Sequence, residues 1–151
     1  MGDEPMTADA IDPRLVEMFA HIPRNGHNAA VGIGVSGFGR GWTECYVDWR
    51  EELVSDVGTG ILASGPIISL MDVACGCSVW SAIDDITSSV TLDLRVDYLR
   101  PARPGRRVVG RGECYHVTRR VAFVRGSAHD GDPERPIAKV AGSFFYTGSV
   151  E

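Results

Sequence analysis

The stretch Gly58-Thr59-Gly60-Ile61-Leu62-Ala63-Ser64-Gly65-Pro66, continuing directly into residues 67–82, decides how this chain folds. A loop of small residues ends at Pro66, and the apolar segment that follows carries one charge, Asp72. Residues 66–82 would span roughly 25 Å as a helix rising 1.5 Å per residue. The segment is apolar on most sides, which predicts a helix buried nearly all round. Its small residues (Ser69, Ala74, Cys75, Gly76, Cys77, Ser78) let another layer approach closely. A carboxylate buried there without a partner is costly, so Asp72 needs a polar neighbour or a chemical task. At the head of the helix, Ser64 or Gly65 as cap and Pro66 in the first turn leave backbone N–H groups unmatched. Such donors hold anionic oxygen well.

Upstream, Asp12-Pro13 reads as an N-cap followed by proline at the first helical position, with Leu15, Val16, Phe19 and Ile22 at helical spacing. That helix ends before Pro23, and Arg24-Asn25-Gly26 turns the chain. Residues 29–38 and 42–49 read as two strands joined at Gly39-Arg40-Gly41, a hairpin, and 51–60 as a loop. Downstream of Asp84-Asp85 come four strands, 90–98, 108–117, 121–129 and 137–146. The first alternates strictly. Val90, Leu92, Leu94, Val96 and Tyr98 share one face, and Thr91, Asp93, Arg95 and Asp97 share the other, so one face is buried and one is wet or functional. Short connections predict antiparallel neighbours. One buried helix and a long antiparallel sheet cover each other when the sheet curls round the helix, an α+β two-layer architecture. The open sheet keeps edges, and 90–98 is expected to pair across a two-fold axis with a second copy.

The 151 residues, 44% hydrophobic and 23% charged, suit one globular domain at 13–151 behind an acidic, polar tail at 1–12. A net charge of −5 argues against nucleic acid as a partner, although the arginines between 95 and 125 could form a local anion site. Cys45, Cys75, Cys77 and Cys114 form no disulfide framework, and His21, His27, His116 and His129 are scattered without metal-ligand spacing. The thiols read as reduced core residues of a cytoplasmic protein. The N-terminus lacks a signal-peptide pattern, and no run approaches the roughly 18 apolar residues of a membrane span.

Glu52-Leu53-Val54-Ser55-Asp56, Thr59-Gly60-Ile61-Leu62, Ser64-Gly65 and Leu70-Met71-Asp72-Val73-Ala74-Cys75-Gly76 resemble one known family. So do Thr91-Leu92-Asp93-Leu94-Arg95-Val96-Asp97-Tyr98-Leu99-Arg100-Pro101 and Val121-Ala122-Phe123-Val124. In this order the motifs resemble the hotdog-fold acyl-CoA thioesterases of the phenylacetate-degradation (PaaI-like) type, over nearly the whole chain after Asp12. The resemblance implies a homo-oligomer built on a dimer, with active sites at the subunit interface and coenzyme A entering as part of the substrate, without metal or redox cofactor. It assigns Asp72 as general base or nucleophile and the N–H groups of Ser64 and Gly65 to the thioester carbonyl. It assigns Thr91, from the partner chain, to the attacking water. Asp56 and Ala63 fall at substrate-binding positions, and Arg100 and Arg103 are candidates for the coenzyme A phosphates.

One position departs from the family pattern. The family's His-Gly-Gly is Ala63-Ser64-Gly65 here, so the loop histidine is absent. Three readings follow: an acyl-CoA thioester hydrolase, a hotdog dehydratase or hydratase, and an acyl-CoA binding module without efficient chemistry. The second needs a histidine beside an acidic residue, and neither the glycine loop nor the long helix contains one. Ala63 is the feature that favours the third.

Overall fold

The computed structural model describes residues 12–149; apart from Asp12, the tail at 1–12 lies outside them. Helix α1, Pro13–His21, is capped by the Asp12 side chain, which accepts the Arg14 N–H at 2.8 Å. A 3₁₀ turn at Ile22–Arg24 leads to α2, Gly26–Val31. The expected strand at 29–38 therefore starts late. Gly32, at φ 82°, ends α2 in the left-handed region, and strand β1 occupies Ile33–Gly39. Strand β2, Trp42–Val47, completes the hairpin. A two-stranded ribbon, β3 (Val54–Asp56) and β4 (Ile61–Leu62), sets the chain at the start of α3, Ser64–Ala82. Strands β5 (Asp85–Tyr98), β6 (Val108–Val117), β7 (Val121–His129) and β8 (Ala138–Ser149) follow.

The main sheet is antiparallel in the order β1-β2-β6-β7-β8-β5. The expectation that consecutive strands are neighbours fails once. β5 does not pair with β6 but crosses to the far edge beside β8, leaving β6 to extend the hairpin through β2. The crossover at 99–107 is tied to the β7–β8 turn. Leu99 N–H donates to the Ile137 carbonyl, and Arg100 and Arg103 both grip Asp130.

Helix α3 lies on the inner face of the sheet. Leu70, Met71, Ala74, Cys75 and Val79 pack against Cys45, Val47, Val108, Val124 and Tyr146. Close approach depends on the sheet as well as on the small helix residues. A Cβ added at Gly112 would stand 2.6 Å from the Ala74 carbonyl oxygen. A second cluster, Leu15 and Phe19 with Cys77, closes the end of the helix, with Phe19 and Phe38 edge-to-face at 4.8 Å.

Two expectations about α3 are corrected. Its 19 residues are long and apolar enough to cross a membrane by length and composition alone, yet half of that segment is buried inside this fold. Nor is it buried all round: Ser64, Gly65 and Ile68 are exposed, and Ser69 and Asp72 are half-buried. Gly65, Ile68, Ser69 and Asp72 stand at i, i+3, i+4 and i+7, one face that the sheet leaves largely open and touches at Asp72 from β5.

Candidate active site

Asp72 projects from the middle of that open face. The Thr91 hydroxyl of the same chain donates to its Oδ1 at 2.7 Å. Thr91 was expected from the partner; here carboxylate and hydroxyl come from one protomer. Strict alternation would also have turned Thr91 away from the core. A β-bulge prevents this: Thr91 pairs with Phe144 and Asp93 with Ser143, so Leu92 is an extra residue. The bulge shifts the phase by one. Thr91 then shares the inner face with Leu94 and Val96, while Val90 and Leu92 are left 58% and 57% exposed on the sheet edge.

The N-cap of α3 is Ala63, held by its N–H to the Leu53 carbonyl at 2.9 Å. Ser64 and Gly65 are thus the first two helical residues. Their N–H groups have no carbonyl one turn back, and Pro66 has no N–H to offer. Space beyond Gly65 is open. The Tyr98 hydroxyl donates to the Ser64 carbonyl at 3.1 Å, and burial raises its pKa, opposed by that bond. Ile61, Leu62, Ile67, Tyr98 and Leu99 line an apolar cleft of about 360 Å³ beside this helix start.

Asp72 and the two donors are therefore both available, but apart. Seven and eight residues at 1.5 Å each separate them by about 10–12 Å along the axis. One carbonyl cannot touch both, since hydrogen bonds need about 3 Å.

The other expected residues have different employment. Asp56 is exposed and caps its own turn, its Oδ1 accepting the Gly58 N–H at 2.9 Å. Arg100 and Arg103, expected at the coenzyme A phosphates, both clamp Asp130. Arg100 reaches Asp130 with both terminal nitrogens at 2.7 and 3.0 Å, and Arg103 adds its backbone N–H at 2.8 Å and Nε at 3.2 Å. Those guanidiniums are already committed to a fully buried carboxylate.

Two contacts escaped sequence reasoning. Tyr98 meets Ser64 from 34 residues away. His27 Nε2 lies 2.8 Å from Ser69 Oγ, one turn before Asp72 on the same open face. No spacing rule joins residues so far apart. None of the four cysteines competes as a nucleophile. Burial pushes Cys45 and Cys75 up to about 12 and Cys114 to about 11, and Cys77 is also pushed up. Among the described residues no group of three or more His, Cys, Asp or Glu could hold a metal ion.

A curled antiparallel sheet on one apolar helix, with a carboxylate–hydroxyl pair on the helix's open face, defines a hotdog-fold protein of the α+β class. The thioesterase superfamily model matches residues 59–137, more than half of the sequence, and the chain belongs to that family. It is 29% identical over 141 residues to the medium/long-chain acyl-CoA thioesterase YigI of Salmonella typhimurium, covering 84% of this chain and 88% of the relative. A crystal structure of a Pseudomonas aeruginosa protein is 33% identical, with a TM-score of 0.73 over 89% of this chain and 95% of that one. The Escherichia coli PaaI protein from the phenylacetic acid degradation operon superposes with a TM-score of 0.75 over 91% of this chain and 96% of its own; at 16% identity this likeness is one of fold.

Proposed function

We propose that this protein hydrolyses acyl-CoA thioesters at a site assembled from two chains. One protomer supplies Asp72 and Thr91, and the other supplies the Ser64 and Gly65 N–H groups. The observation that carries this reading is the 2.7 Å Thr91–Asp72 bond on a helix face left open to solvent. The seven or eight residues of helix between Asp72 and its own chain's donors, a backbone rise of about 10–12 Å, support the two-chain division. So does the exposed β5 edge with Val90 and Leu92, a surface suited to a second copy. Homodimer and homotetramer both satisfy it.

In the proposed reaction the partner's N–H groups hold the thioester oxygen as it gains negative charge. Thr91 fixes the Asp72 carboxylate through Oδ1, leaving Oδ2 to take a proton from water as that water's oxygen bonds to the carbonyl carbon. The tetrahedral intermediate collapses, the C–S bond breaks, and the thiolate of coenzyme A receives the proton from Asp72. The acid product passes its remaining hydroxyl proton to solvent and leaves as carboxylate, and no metal or redox cofactor enters the sequence of steps. The apolar cleft beside Ser64 suits an acyl or pantetheine segment, in keeping with the medium/long-chain substrates named for the YigI relatives. Four free thiols suit a reducing cytoplasm, to which we assign the reaction.

Asp72→Asn, assayed for thiol release across medium- and long-chain acyl-CoAs, is expected to lose on the order of 10²–10⁴-fold in kcat, the range of general-base catalysis. An unchanged rate would sink the mechanism. Ala63 favours a second reading, an acyl-CoA binding module, because the helix cap carries no side-chain donor or acceptor. Calorimetry with a non-hydrolysable acyl-CoA separates the two: tight binding by a wild-type protein with no turnover selects the module.

A further inference from the structure

We infer that Tyr98 is a positioning residue for the oxyanion donors at the head of α3; this rests on the hydrolytic reading above. Its hydroxyl donates to the Ser64 carbonyl at 3.1 Å. That carbonyl and the Gly65 N–H belong to one planar trans peptide group and point opposite ways, so holding the oxygen aims the N–H. No cap side chain does this job: Ala63 contributes no side-chain hydrogen bond, and the first turn has no acidic residue. A Cβ built on Gly65 would meet nothing within 4 Å, so packing does not hold that peptide on its outer side. Nor does the fold need the bond to place Tyr98. β5 is already paired with β8 as far as Tyr98 opposite Ala138, and Tyr98 is 46% exposed, with water as an alternative partner for its hydroxyl.

The bond matters most when charge develops. Within the helix the Ser64 oxygen also accepts the Ile68 N–H, so the Tyr98 hydroxyl is a second donor on it. Negative charge on the thioester oxygen pulls on the Gly65 N–H and polarises its peptide group, which makes the Ser64 oxygen a stronger acceptor. The Tyr98 bond therefore strengthens in the transition state and adds to kcat rather than to substrate binding. β5 takes on two tasks in the two-chain arrangement. Its Thr91 steadies Asp72 in one site, while its Tyr98 steadies the donors that its own chain lends to the other.

The test is Tyr98→Phe in the full chain, which removes the hydroxyl and keeps the ring that lines the cleft. Thiol release from one acyl-CoA is expected to lose on the order of 3- to 10-fold in kcat, the worth of one neutral hydrogen bond, with KM within about 2-fold. A second readout is the infrared carbonyl stretch of a bound acyl-CoA ketone analogue, its thioester sulfur replaced by a methylene and its carbonyl carbon isotopically labelled. Wild type is expected to lower that frequency on binding, and Tyr98→Phe to lower it less. Unchanged kcat, a rise in KM alone, or an equal carbonyl shift in both proteins overturns the inference, since lost packing in the cleft would leave the carbonyl alone. A wild-type carbonyl that does not shift would remove Ser64 and Gly65 as donors, and the role of Tyr98 with them. Failure of the hydrolytic reading would instead show as an unchanged rate for Asp72→Asn.

Discussion

Replacing Asp130 by Asn tests the lock that carries the chain from β5 across to β6. The Asp130 side chain is fully buried, while its partners Arg100 and Arg103 keep 25% and 53% of their side chains exposed. Breaking a buried ion pair from one side costs about 3–5 kcal/mol. Water can reach both guanidiniums here, so the expected loss is smaller, about 2–3 kcal/mol. At ~3 °C per kcal/mol for a domain of this size, the midpoint should fall by roughly 6–9 °C at fixed protein concentration.

The pH dependence has a definite sign. Hydrogen bonding from Arg100, aided by the Arg103 N–H and opposed by burial, holds the Asp130 carboxyl well below its usual value of 3.8. A depressed carboxyl stabilises the fold fully above its unfolded pKa and loses that contribution as pH falls toward its folded pKa. The gap between wild type and Asp130→Asn should therefore be constant from about pH 8 to 5 and close below about pH 4. Urea unfolding of both proteins at pH 7 and pH 3 measures it. A loss under about 1 kcal/mol at pH 7, or an equal gap at both pH values, would refute the reasoning.

Gly112→Ala drives a methyl toward the Ala74 backbone and should destabilise the fold by about 1–3 kcal/mol through overpacking; an unchanged urea midpoint would mean that α3 is free to lift. Val90→Lys places a charge on the exposed β5 edge, and light scattering should find monomers whose thiol-release activity is lost. Full activity in a demonstrated monomer would remove the two-chain site.

Much of this was legible from local pattern. Asp12-Pro13 announced α1, the hairpin glycines announced β1 and β2, and one apolar run with a lone charge announced the central helix. These are short-range signals, and tertiary forces did not override them. The partnership of β5 was harder, because a nine-residue crossover permits either an adjacent strand or the far edge. Arg100 and Arg103 chose the far edge by finding Asp130, 30 and 27 residues away. The same contact gives both arginines a structural task that spacing does not announce: an arginine's employment depends on which carboxylate the fold brings to it.

Sequence alone determined the helix, its exposed backbone donors, the sheet that covers it and the carboxylate that needs a reason to be there, because periodicity, proline and glycine act over a few residues. Tertiary structure decided which face of that helix stays open and which hydroxyl meets Asp72. Thr91 belongs to the wet face by strict alternation and reaches the carboxylate through a single extra residue in β5. A bulge leaves no mark in a pattern of alternating residues. It arises from register against β8, which exists only after the strands have paired.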